Sequence, residues 1–219
     1  MSTVTTKREH KAALRADRSG SGPTIEERPP ARFPGAGAKF ALLGEVLMIG
    51  LLVALVGVLV VTLPAGLAAG IRHLRRFVAA DDSSLVFFWA DVRRALPMGA
   101  VVGLASTVVL VILLLDIDLA RSGFLPGGIL IEIVGWVGLA ALSVAVLVAA
   151  AAWSPETGWL AAVRSVPRSV AADPVGGLYL VATAGFVAVV TWVLLPLLLP
   201  ALGLAALAAV AIPERRRTR

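Results

Sequence analysis

The chain has 219 residues, 58% of them hydrophobic and only 16% charged, so it has room for one helical membrane domain and no sizeable soluble one. Zero cysteines exclude disulfides, thiolate metal sites and thiol catalysis, and two histidines, His10 and His73, argue against a histidine metal centre or a Ser-His-Asp arrangement. The net charge of +6 comes without an aromatic-interleaved basic surface, so it reads as arginines facing lipid phosphates and not as nucleic-acid binding.

The first 39 residues carry eight Lys/Arg and four Asp/Glu around Ser19-Gly20-Ser21-Gly22-Pro23 and Pro29-Pro30. So little apolar surface predicts a disordered polar tail over 1–39, and no apolar segment near Met1 reads as a signal peptide. Four uncharged stretches follow: Val46 to Ile71, Ala95 to Leu115, Ile133 to Pro155 and Pro174 to Pro213. A helix needs roughly 20 residues to cross about 30 Å of hydrocarbon, and each stretch has them. No period-2 alternation supports a barrel. The expected fold class is all-α: a polytopic helical membrane protein with two amphipathic interfacial helices.

The first span is expected over about 40–63, closing at Thr62-Leu63-Pro64, where proline removes an amide donor. A run from Ala65 to Val78 then leaves the membrane carrying Arg72, Arg75 and Arg76. Asp81-Asp82-Ser83-Ser84 supplies N-cap chemistry for a helix with Leu85, Phe88, Trp89, Val92 and Leu96 on one face. That pattern predicts a helix lying flat at the interface, with Asp91 and Arg94 away from the centre of its apolar face. The second span is expected over 97–115, followed by Asp116, Asp118, Arg121 and the Pro126-Gly127-Gly128 breaker, and the third over 129–153. Ser154-Pro155-Glu156 starts a second interfacial helix with Trp159, Val163, Val166 and Val170 on one face and Arg164 and Arg168 on another, interrupted at Pro167. Trp89 to Pro97 echoes Trp159 to Pro167, as a parallel duplication would. The last stretch predicts one kinked span over 175–199 and a C-terminal helix ending at Pro213, with five spans as the alternative. A basic tail over 214–219 closes the chain.

Four spans put both termini on one side with the Asp116 loop, and the positive-inside rule over all Lys and Arg makes that side cytoplasmic. Arginine well above lysine, with abundant Ala, Val, Leu and Gly, points to a GC-rich bacterial genome and hence a bacterial cell membrane.

Glu45 and Glu132 each lie about one turn inside a span, on the side of Asp116 and Asp118 in that arrangement. Intramembrane carboxylates mark polar pathways, whereas at headgroup depth they are ordinary span ends. Arg72, Arg75, Arg76, Arg93, Arg94, Arg164 and Arg168 are expected to contact lipid phosphates or a partner. Gly66/Gly70 and Gly99/Gly103 have the spacing that lets helices pack closely. Trp89, Trp153 and Trp159 fit interfacial anchors, while Trp136 and Trp192 fall inside spans, where they would pack on other helices.

The run Thr62-Leu63-Pro64-Ala65-Gly66-Leu67-Ala68-Ala69, the basic segment after it, Phe88 and Arg93-Arg94 resemble the YesL-like family of bacterial integral membrane proteins of unknown function. Arg164 and Asp173-Pro174 extend the likeness, which covers roughly Leu43 to Ile212. A second proline and a glycine of the family pattern around the Thr are missing or displaced, and the polar N-terminus is additional. The resemblance implies an accessory role beside carbohydrate transporters and supplies no catalytic residue. The expected function is therefore a non-enzymatic membrane accessory without cofactors, its partners the lipid bilayer, a transporter complex or a second copy. The alternative is a small transporter or channel using Glu45 and Glu132.

Overall fold

The computed structural model describes residues 39–123 and 127–215; the expected polar tail, apart from Lys39, and the last four residues of the basic tail lie outside them. Among the described residues the regular structure is helical: α1 (Lys39–Val56), α2 (Leu63–Ala79), α3 (Leu85–Arg121), α4 (Gly128–Ala152), α5 (Gly158–Ala172), α6 (Pro174–Val193) and α7 (Leu198–Glu214). Short 3-10 turns at Val60–Thr62 and Leu195–Leu197 precede α2 and α7. Five segments are long and apolar enough to cross a membrane: α1, α3, α4, α6, and α7 together with its leading turn. The chain is an all-α polytopic membrane protein.

The chain is laid out as hairpins. Gly66 and Gly70 of α2 lie against Val56, Val53 and Ile49 of α1, so α2 runs back along α1. Gly99 and Gly103 of α3 lie against Ala65 of α2 and the Val61 carbonyl, so α3 runs antiparallel to α2. Both glycine pairs thus serve packing within the molecule, since without a Cβ the backbones approach closely. Gly135 and Gly138 of α4 meet Ile117 and Leu113 of α3, and Gly176 of α6 meets Ile212 of α7. At the α1–α7 crossing Gly50 meets the Leu199 carbonyl and Gly203 the Val46 carbonyl. α2 is the centre of this arrangement, buried continuously from Pro64 to Ile71.

Several expectations are corrected here. α2 does not leave the membrane domain along its surface; it returns through the core, with Pro64 in its first turn, where a missing amide costs nothing. No break occurs at Pro97: α3 is one helix of 37 residues, about 55 Å long. In the same turn Trp159 donates from Nε1 to the Ala95 carbonyl at 2.8 Å, which ties α5 to α3. The first expected interfacial helix is therefore not a separate element but the first part of α3. Its buried face is Phe88, Asp91, Val92, Ala95 and Gly99, while Leu85 and Trp89 are exposed. α5 is a separate amphipathic helix, continuous through Pro167, that buries Trp159 and Ala162 and leaves Val163 exposed. Trp89 and Trp159 thus occupy unlike settings, and the echo around them is not a structural repeat. Among the other tryptophans, Trp153 is buried, whereas Trp136 and Trp192 face outward.

The stretch expected as one kinked span forms two helices, α6 and α7, because Leu194 is extended and Pro196 sits in the turn. Returning α2 and returning α7 bring Lys39, Ala79, Trp153, Asp173 and Glu214 to one end of the helical unit, with the acidic turn after α3 at the other. The basic connections thus share an end with the described ends of the chain, and Asp116 and Asp118 oppose them.

The two hairpin tips stop short of that acidic turn. Val61, in the α1–α2 tip, stands beside Gly103, the midpoint of α3, so α3 continues about 27 Å beyond it. The α6–α7 tip lies at a similar level, because Leu199 meets Gly50. Both tips are uncharged, with Val58, Leu59, Trp192 and Leu195 exposed. Where α1 ends, the Thr62 hydroxyl donates to the carbonyls of Val56 and Leu59, satisfying groups that lipid cannot.

Candidate functional site

Charged side chains converge where α1, α2 and α3 meet at the basic end. Arg72 and Arg76 are four residues apart on α2, hence on one face, and α3 presents Asp91 to them. Arg72 Nε lies 3.2 Å and Arg76 Nη2 2.7 Å from the same oxygen, Asp91 Oδ2. Asp91 is 2% exposed, so its charge is held by these two cations instead of water. The arginines also pack on rings, Arg72 at 5.8 Å from the Trp153 centroid and Arg76 at 5.4 Å from Phe87.

Beside this triad, His73 is fully buried and pairs through Nε2 with Glu45 Oε1 of α1. Its ring meets Phe88 edge-on at 6.3 Å. His73 Nδ1 and Arg76 Nη1 are buried without a hydrogen-bond partner among the described residues. Together the two clusters tie α1 to α2 and α2 to α3 by charge in a setting where the hydrophobic effect gives helices no reason to associate. Two guanidinium groups and an imidazole thus face two carboxylates, so the charges of the cluster are met within it. Among the described residues no group of three His, Asp or Glu is placed to hold a metal ion.

A second layer surrounds it. Arg75 donates to the Ala151 carbonyl at 2.7 Å, at the end of α4. Asp173 caps α6 by accepting from the Gly176 amide at 2.9 Å and pairs with Arg215 at 3.0 Å, whose guanidinium stacks 4.9 Å from the Tyr179 centroid. In the α4–α5 connection, a hydrogen bond from Ser154 and the Glu156 backbone amide hold the Glu156 carboxyl below its ordinary range, aided by Arg72 and Arg94.

The expected polar pathway is divided. Glu45 sits with His73 at the basic end. Glu132 lies 3.6 Å from Arg121 at the other end, near exposed Asp116 and Asp118. From Asp91 to Arg121 is about 45 Å along α3, so the two glutamates share no site. Of the seven expected lipid-contacting arginines, Arg72 and Arg76 turn inward to Asp91, Arg75 packs on α4, and Arg93, Arg94, Arg164 and Arg168 are exposed. The residues missed were His73 and Asp91. Their signal was the i, i+4 arginine pair, which demands a counter-charge once α2 is buried.

Comparison with protein-family models, curated proteins and solved structures returns no match. The YesL-like resemblance therefore rests on the residues that carry it.

Proposed function

We infer that this chain is a non-enzymatic multi-pass protein of a bacterial cell membrane, acting as an accessory to another membrane assembly, with a carbohydrate transport system as the first candidate. The observation that carries this reading is the separation and pairing of Glu45 and Glu132. Each lies beside a cationic or ionisable partner, and they stand at opposite ends of α3, so they do not form one path for a solute. The exposed Arg93, Arg94, Arg164 and Arg168 form a basic rim suited to anionic headgroups or an acidic partner. The positive-inside rule puts that rim in the cytoplasm, along with the described ends of the chain, and the acidic turn outside. Partners under this reading are the lipid bilayer and a transporter complex or second copy that docks on the rim.

Purified protein in liposomes tests the reading. Ion and sugar flux should match protein-free vesicles, and a co-purifying membrane partner should be lost when the four rim arginines are changed to glutamine. Flux that disappears in Glu45→Gln or Glu132→Gln would overturn the accessory role and assign transport.

A further inference from the structure

A cavity of about 270 Å³ lies among α2, α3, α4, α6 and α7, and no charged residue lines it. Small residues in its walls leave the space: Ala184 and Ala188 on α6, Ala205 on α7 and Gly103 on α3. Val60, 54% exposed in the uncharged α1–α2 tip, stands at its edge, so the cavity is reached through lipid.

The α3 wall is polar in one place. Gly103, Ser106, Thr107 and Leu110 follow the helical repeat and form a single face. The Thr107 hydroxyl donates to the Gly103 carbonyl at 2.8 Å, and Ser143 on α4 does the same to Leu139. Ser106 could bond back to Val102 in that way, yet among the described residues its hydroxyl has no partner. Nor is it one of the sealed polar atoms, which are His73 Nδ1, Arg76 Nη1 and Thr191 Oγ1. The wall thus holds an open, unused donor.

Volume and chemistry together describe an occupant. A cavity of about 150 Å³ in a protein interior holds benzene, so this one has room for roughly eleven non-hydrogen atoms. A water at Ser106 would leave most of that space empty. The apolar lining excludes a charge, and an unused donor calls for an acceptor. We propose that the cavity binds an uncharged, lipid-soluble molecule of fused two-ring size whose carbonyl oxygen accepts from Ser106. Leu67, Val146 and Leu202 then stand against its rings. An acyl chain would fill the same volume but leave the hydroxyl unbonded. The site rests on the membrane reading of the fold and not on the accessory role, so either can fail without the other.

Equilibrium dialysis of the detergent-solubilised full chain against protein-free micelles tests it. The probes are 1-tetralone, a two-ring ketone of that size, and tetralin, the same rings without the carbonyl. One 1-tetralone per chain should bind saturably. Ser106→Ala should weaken it about fivefold and leave tetralin unchanged. Comparing each ligand between parent and variant cancels its partition into micelles. Ala184→Leu should exclude both ligands, whereas Ala182→Leu, at an exposed position of α6, should exclude neither. Should Ala184→Leu aggregate on gel filtration, Ser106→Ala decides the matter, because tetralin binding reports that its cavity is intact. Absence of saturable 1-tetralone binding would overturn the proposal. So would a Ser106→Ala protein that weakens both ligands alike or neither, the last outcome marking the cavity as a seat for plain acyl chains.

Discussion

Gly50 of α1 and Gly203 of α7 are a reciprocal pair: a Cβ on Gly50 would lie 2.0 Å from the Leu199 carbonyl oxygen, and one on Gly203 2.0 Å from that of Val46. Backbone cannot swing aside as a side chain can, so α1 and α7 must separate to admit even a methyl group. Gly50→Ala or Gly203→Ala should each destabilise the protein by about 1–3 kcal/mol in detergent unfolding. Gly44→Ala, with nothing near its Cβ position, should be neutral or stabilising. Equal behaviour of the three would show that the crossing is not tightly packed.

Asp91→Asn removes the counter-charge shared by Arg72 and Arg76 while keeping the shape of the side chain. The expected loss is about 3–5 kcal/mol, read from denaturant unfolding, because it leaves two partly buried cations unpaired. Arg93→Gln, at an exposed position, should stay within about 0.5 kcal/mol of the parent.

Helical content and the all-α polytopic class could be read directly, because runs such as Ala95 to Leu115 leave no other hydrogen-bonded option in lipid. The face of α3 could be read only in part. A rule made for water puts Leu85 and Trp89 inside with Phe88 and Val92, yet lipid is as apolar as leucine, so Leu85 and Trp89 face out while Phe88 and Val92 share the inner face with Asp91, Ala95, Gly99 and Gly103. The Glu45–His73 pair joins residues 28 apart through a hairpin whose return stroke, α2, carries too much charge to read as buried. Its arginines are compatible with that position only because Asp91 arrives from α3.

Trp159→Phe removes the donor to Ala95 beside Pro97. It should cost about 1 kcal/mol and raise amide exchange in the Arg93–Gly99 turn, with the remainder of α3 unaffected. Exchange unchanged in that turn would mean the indole does not steady α3 there.

The absence of cysteine makes single insertions clean reporters of sidedness. Cysteine in place of Ser84 and of Ser165 should resist an impermeant maleimide in intact cells and react after permeabilisation, while cysteine in place of Ser122 should react at once. Identical labelling of Ser84 and Ser122 positions would contradict the passage of α3 through the bilayer.

Glu156 titrates below the ordinary carboxylate range, so its contribution is present above that range and is lost as pH falls through its lowered value. Ser154→Ala should raise its titration midpoint in a carboxyl NMR titration. Behaviour at neutral pH should not change, since the group stays ionised.

Both tips end beside the middle of α3, and among the described residues only α3 and α4 continue beyond them. With the bilayer centred at that level, the helical unit would have unequal footprints, six helices across on the arginine side and two across on the acidic side. An inclusion that displaces more lipid from one leaflet than from the other has a spontaneous curvature of its own. The expected consequence is lateral sorting: in vesicles of mixed diameter the protein gathers wherever the arginine-side leaflet is the convex one, and it does so without any curvature-sensing helix.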